Sequence, residues 1–148
     1  MSNEPVTSET RPVDQIWHEV EELIHEIDRR AREELSTRVF YTALVDRTVE
    51  TLAASAGAMW LTGADGRLQV EYQNGLSRVG LENSGVAQTS HSRIIETVAR
   101  SGKSRIVAPQ SGSDAEGTVS NSTEFLQLLS PVTRDGETLG VIEIFQRP

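Results

Sequence analysis

Apolar residues in the first part of the chain recur at helical spacing. Ile16, Val20, Leu23, Ile27 and Ala31 follow one another at intervals of four, three, four and four, with Trp17 and Ile24 widening the stripe. That pattern predicts an amphipathic helix from Asp14 to Leu35, with Asp14 as its N-cap shortly after Pro12. The opposite face carries Glu19, Glu22, Glu26, Arg29, Arg30 and Glu33. Such a helix is too polar for burial and too apolar on one side to stand alone. Ser36 and Thr37 interrupt the pattern and are candidate caps of a second helix, about Arg38 to Ala56, which either follows a kink or runs on continuously from the first. Phe40, Leu44, Val45, Val49, Leu52 and Ala56 form its apolar face, and Gly57 terminates it.

Beyond Gly57 the period becomes that of strands. Ala58 to Thr62 is mostly apolar, Ala64-Asp65-Gly66 signals a turn, and Arg67 to Gln73 alternates strictly. In that run Leu68, Val70 and Tyr72 are expected on one face and Arg67, Gln69, Glu71 and Gln73 on the other, as near a sheet edge. Residues 76 to 89 show little periodicity. Ser90 to Ser101 reads as a short helix with Ile94, Ile95, Val98 and Ala99 inward, and Arg105 to Ala108 as a short strand ended by Pro109. Gln110 to Thr123 is polar and rich in Ser and Gly, a loop long enough to be functional or disordered.

The chain closes on a hairpin, Glu124 to Thr133 and Glu137 to Gln146, around Asp135-Gly136. In its last strand Leu139, Val141, Glu143 and Phe145 share one face while Ile142 and Ile144 occupy the other. A strand apolar on both sides is central and covered on both. The expected fold is therefore α+β: an antiparallel sheet of about five or six strands, with the N-terminal helices on one face and a further layer on the other. The expected organisation is a disordered leader (1–13), a signalling or dimerisation helix (14–36) and one domain (37–148).

Composition narrows the partners. A formal charge of -8 and a pI near 4.9 argue against nucleic acid and against anionic membrane surfaces. The sequence has no cysteine, which excludes disulfides, thiolate metal sites and thiol nucleophiles and fits a reducing compartment. No stretch has the length and apolarity of a signal peptide core or membrane span. The expected location is the cytoplasm.

Leu129-Ser130-Pro131-Val132 followed by Asp135-Gly136-Glu137-Thr138-Leu139-Gly140-Val141-Ile142 resembles the closing hairpin of the GAF family. Ala56-Gly57-Ala58-Met59-Trp60-Leu61 and Ser101-Gly102-Lys103-Ser104-Arg105-Ile106-Val107 resemble its first strand and its helix-to-strand joint. The resemblance covers roughly Arg38 to Arg147. It implies a sensory or regulatory module, a pocket roofed by the middle helix and long loop, and no catalysis. The family usually adds a helix after the last strand, so the resemblance implies a fragment whose output domain lies beyond Pro148. Neither the Asn-Lys-x-n-Phe-x-x-x-Asp-Glu signature of cyclic-nucleotide-binding members nor the cysteines of bilin-attaching and methionine-sulfoxide-reducing members has a counterpart here.

Candidate chemistry is sparse. His18 and His25, flanking Glu22, are about 10 Å apart along a helix, too far for one metal ion, so no metal site is expected. Glu143 either faces the pocket, desolvated among apolar neighbours, or is paired with a basic residue or reaches the rim. Ser90, His91 and Arg93 open the middle helix, where free N–H groups favour an anion, or simply cap it. Ser90, His91, Arg93, Val141 and Glu143 are thus the candidate ligand-pocket residues, the ligand and any cofactor being unknown. Trp60 is expected in the core. No nucleophile, base and orienter can be assembled. Finally, Trp17, Val20, Ile24, Ile27 and Ala31 form a seam that suits a parallel homodimer through the first helix. An interaction module with a filled pocket is the alternative to a ligand sensor.

Overall fold

The computed structural model describes residues 12–32, 37–81, 85–113 and 119–148. Most of the expected leader, the end of the first helix and the tip of the long loop lie outside them. The first helix, α1 (Val13–Arg32), has Asp14 in its first turn and Arg29, Arg30 and Arg32 in its last, the charge order that a helix dipole favours. Leu23 is its buried residue. It lies on α2 (Thr37–Thr51), and Glu26 joins the two by accepting from Arg47 Nε at 2.9 Å. This pairing with Arg47, ahead of that with Arg30, holds the Glu26 carboxyl below its usual range.

α2 buries Tyr41, Val45 and Val49, one residue per turn, against the sheet. It stops at Thr51, earlier than the expected Ala56. Ala53 turns into the left-handed region at φ 49, and the Ala54 N–H donates to Val49 O at 2.8 Å. Gly57 is therefore no helix terminator but part of β1 (Ala56–Thr62). Its role is close approach: a Cβ there would lie 2.7 Å from Val49 and 2.9 Å from Ile144, so glycine lets the helix sit down on the strands.

The sheet has the order β2-β1-β7-β6-β3, all neighbours antiparallel. β2 (Leu68–Asn74) and β3 (Arg105–Val107) are its edges; β6 (Leu126–Arg134) and β7 (Glu137–Gln146) form the closing hairpin. β7 is central and covered on both sides, as its two-sided apolar pattern predicts. Ile144 packs toward α2, while Val141 and Phe145 face the other layer. That layer is α3 (Gly85–Ser101), whose Ile94, Ile95 and Val98 pack on Val107, Leu129 and Val141.

Two further expectations are corrected. β2 does not keep one alternation: a bulge leaves Glu71 extra, so Met59 pairs with Tyr72 but Trp60 with Val70. An inserted residue makes the two stretches of strand on either side of it face opposite ways. Hence Tyr72 joins the cluster under α2, whereas Val70 and Gln73 lie on the α3 side. The polar stretch after β3 also contains structure, the short pair β4 (Ser111–Ser113) and β5 (Val119–Asn121). Asn121 anchors it. Its Nδ2 donates to the carbonyls of Val107, Ala108 and Phe125, and its Oδ1 accepts from the Thr123 N–H and hydroxyl. Among the described residues no helix is long and apolar enough to cross a membrane.

Candidate functional site

On the α3 side of the sheet, β1, β7 and β6 bring Trp60, Glu143 and Gln127 side by side, and α3 lowers His91 onto them. Glu143 is at 0% exposure in the middle of the central strand. A carboxylate so placed needs compensating partners, and it has three. The Trp60 Nε1–H donates to Oε1 at 2.7 Å. His91 Nε2 lies 2.9 Å from Oε1 and 2.7 Å from Oε2, so its N–H is shared between both oxygens. Gln127 Nε2 donates to Oε2 at 3.2 Å. The carboxylate fixes the proton of His91 on Nε2 and the amide orientation of Gln127, since the reverse amide would set two acceptors face to face.

Aromatic packing holds the imidazole in position. Its ring stands edge-on to Trp60, centroids 5.4 Å apart at 81°, and tilts against Phe145 at 6.2 Å. One polar atom of the cluster remains over. Gln127 is 1% exposed, and its Oε1 has no hydrogen-bond partner among the described residues. Such an orphan is uncommon in a folded interior and marks a place that accepts a donor.

Trp60 and His91 also form part of the wall of a cavity of about 380 Å³, completed among the described residues by Val70, Gln73, Leu76, Leu81 and Ser92. It lies between β1, β2, the 3-10 turn Leu76–Val79 and α3. Its size is that of a small-molecule site, and its mainly apolar wall with a few convergent polar groups has the usual character of one. Behind Trp60 and His91 lies Glu143, so the polar cluster backs directly onto the cavity.

The residues expected at the pocket separate in this setting. His91 and Glu143 are in direct contact. Ser90 is buried, Arg93 half-buried, and Val141 lies in the apolar cluster beneath α3. Among the described residues the hydrogen bonds to Glu143 come from Trp60, His91 and Gln127 alone. The anion reading of Ser90, His91 and Arg93 is corrected: α3 begins at Gly85, so these residues stand in its second and third turns, where the N–H groups are taken up by the helix itself. Trp60 belongs to the cavity wall as well as to the core, and Gln127 was not anticipated. A glutamine alternating with Leu129 on a strand apolar on both sides is the signal that points to it.

A second polar group links the cavity's edge strand to the helices. Asp46 of α2 accepts from the Tyr72 hydroxyl at 2.7 Å and from Asn74 Nδ2 at 2.9 Å. The hydrogen bond to Asp46, with burial and the carboxylate's charge behind it, pushes the Tyr72 phenol up to about 12.

No protein-family model and no curated protein sequence matches the chain. Solved structures do. The A. aeolicus nlh2 GAF domain in an inactive state matches 90% of this chain and 82% of its own, with TM-score 0.65 and 14% identity. Further GAF domains are among the matches. The fold is that of a GAF domain. Two other structures with this GAF fold carry different tasks. One is a Neisseria meningitidis free methionine-R-sulfoxide reductase in complex with its substrate (TM-score 0.62, 14% identity, 91% of this chain and 77% of that one). The other is residues 122 to 287 of a methyl-accepting chemotaxis protein (TM-score 0.60, 11% identity, 83% and 81%). At these identities the likeness concerns the GAF fold alone.

Proposed function

We propose that this GAF-fold chain is a non-catalytic sensory or regulatory module of the cytoplasm. It takes a small molecule into the cavity beside Trp60 and His91 and passes the change through α2 and α1 to an effector. The observation that carries this reading is the cavity of about 380 Å³ backed by a fully buried, three-donor carboxylate. A polar cluster inside a core is costly to maintain for stability alone, because an apolar core of equal volume serves as well. The match to a chemotaxis protein supports a signalling setting, and the cysteine-free sequence suits a reducing compartment.

A chain of contacts supports a route outward. Val70 and Gln73 of β2 line the cavity, Tyr72 and Asn74 of the same strand hold Asp46, and neighbouring Arg47 holds Glu26 of α1. These contacts would carry a movement of β2 against a ligand to the helix pair. The test is a thermal-shift screen of a metabolite collection against the wild type and Val70→Trp. Val70 is half-exposed at the cavity, so the indole fills the space without entering the core. Ligands that raise the wild-type melting temperature and lose their effect on Val70→Trp are expected. A screen in which no compound distinguishes the two proteins would overturn the reading.

The exposed apolar stripe of α1 favours a second role, homodimerisation. Val13, Trp17 and Ile24 lie open on the helix while Leu23 faces α2, and large apolar side chains repeated along one face fit a helix–helix seam.

A further inference from the structure

Charge and hydrogen-bonding capacity around the cavity select among ligands. Its described wall contains no lysine or arginine, and the sequence between Leu81 and Ser90 contains none either. The one buried charged group behind the wall is a carboxylate, and next to it stands an acceptor, Gln127 Oε1, that no donor meets among the described residues. An anionic ligand would find no fixed cation here and would approach Glu143 instead, a like-charge contact in a desolvated place. Trp60 offers an indole to the same space, and aromatic faces attract cations. The chain as a whole is acidic, at a formal charge of -8, which raises the local concentration of cations rather than anions.

Resting on the cavity reading above, we propose that the ligand is a small organic cation, a primary ammonium on an apolar body. Val70, Leu76 and Leu81 take the body. The ammonium displaces His91 from Glu143, donating two N–H bonds to the carboxylate and the third to Gln127 Oε1. Three donors on one nitrogen match these acceptors, whereas the imidazole supplies a single N–H and leaves Gln127 Oε1 unmet. His91 is thus a resident stand-in for the ligand's head group, and its release is the first event that binding causes on α3.

Trp60 reports on this directly. The chain has two tryptophans, and Trp17 is 64% exposed on α1, so Trp17→Phe leaves Trp60 as the single emitter. This variant is titrated with three probes of nearly equal shape: 2-phenylethylamine, 2-phenylethanol and 3-phenylpropionate. Saturable change with the amine is expected, with affinity at least about tenfold above the alcohol and the carboxylate, as for a desolvated charge-assisted contact. Glu143→Gln should abolish that preference while retaining the alcohol. Should that variant fail to fold, Gln127→Met, of similar volume, should weaken the amine several-fold and leave the alcohol unchanged. Equal or tighter binding of the alcohol or carboxylate overturns the cation assignment and leaves the pocket standing. If none of the three binds while the metabolite screen yields Val70-sensitive ligands, the cation assignment alone falls; if both are silent, the pocket falls with it.

Discussion

Glu143, His91, Trp60 and Gln127 each make sense only in the company of the other three. Removing His91 leaves the carboxylate with two neutral donors and no shared N–H. His91→Leu is therefore expected to lower stability by about 3 kcal/mol, the order found when one partner of a buried pair is removed. Urea unfolding against the wild type measures it, and a loss below about 1 kcal/mol would mean that Glu143 is solvated by other means. Sequence reasoning reaches Glu143 because a polar residue on an apolar face stands out, and His91 only as one of the residues expected to open the middle helix. It could not join them: they are 52 positions apart, and nothing in their spacing says which helix turn settles over which strand. Gly140 shows the same limit. Its place in the Leu-Gly-Val return reads as a family resemblance, but its physical reason is the Trp60 carbonyl, which a Cβ at this position would overlap. Because that neighbour is backbone, Gly140→Ala must push β1 and β7 apart beside the cavity. It should cost about 3 kcal/mol, the upper range for overpacking; a thermal melt equal to wild type would refute this.

At the scale of elements, the longer strands and helices follow from periodicity, as does the closing hairpin with β7 at the centre, whereas the short pair β4 and β5 in a polar stretch does not. Boundaries and sidedness are less legible. α2 ends early because Ala53 adopts a left-handed conformation that sequence rules reserve for glycine, and β2 changes sides because a bulge obeys its partner's register rather than its own alternation. The consequence of that bulge is that one strand serves both faces: it sends Tyr72 to Asp46 on α2 while Val70 and Gln73 stay with the cavity. This contact has a pH signature. The phenol is raised from 10.0 to about 12 in the folded chain, so between those values the native state keeps a proton that the unfolded state has lost. Stability is then fully present below pH 10.0 and falls as pH rises toward 12. Urea midpoints should decline over that window in the wild type and decline less in Tyr72→Phe. An identical slope in both proteins would show that Asp46 does not hold the phenol.

At the scale of the whole molecule, α1 is the element whose apolar surface exceeds what its own domain covers. Leu23 meets α2, and Val20 and Ile27 are half-buried, but Trp17 at 64% and Ile24 at 58% remain open, seven residues apart on one side. Ala31 comes after another seven and is also exposed. Trp17, Ile24 and Ala31 thus make one row of a heptad seam, with Val20 and Ile27 as the second row shared with α2. The described helix has 20 residues, marginal as an isolated coiled coil, so the folded domain beside it has to contribute by fixing α1 in place. The Glu26–Arg47 contact does that fixing. The expected state is a parallel homodimer with the two α1 helices paired, which would place the contacts of β2 with Asp46 and of Arg47 with Glu26 near the subunit boundary. Trp17→Glu with Ile24→Glu alters open positions only, so the fold should survive while association is lost. Light scattering at tens of micromolar should give a dimer for the wild type and a monomer of unchanged circular dichroism for the double variant. A wild-type monomer under those conditions would reduce α1 to an outer layer of the fold.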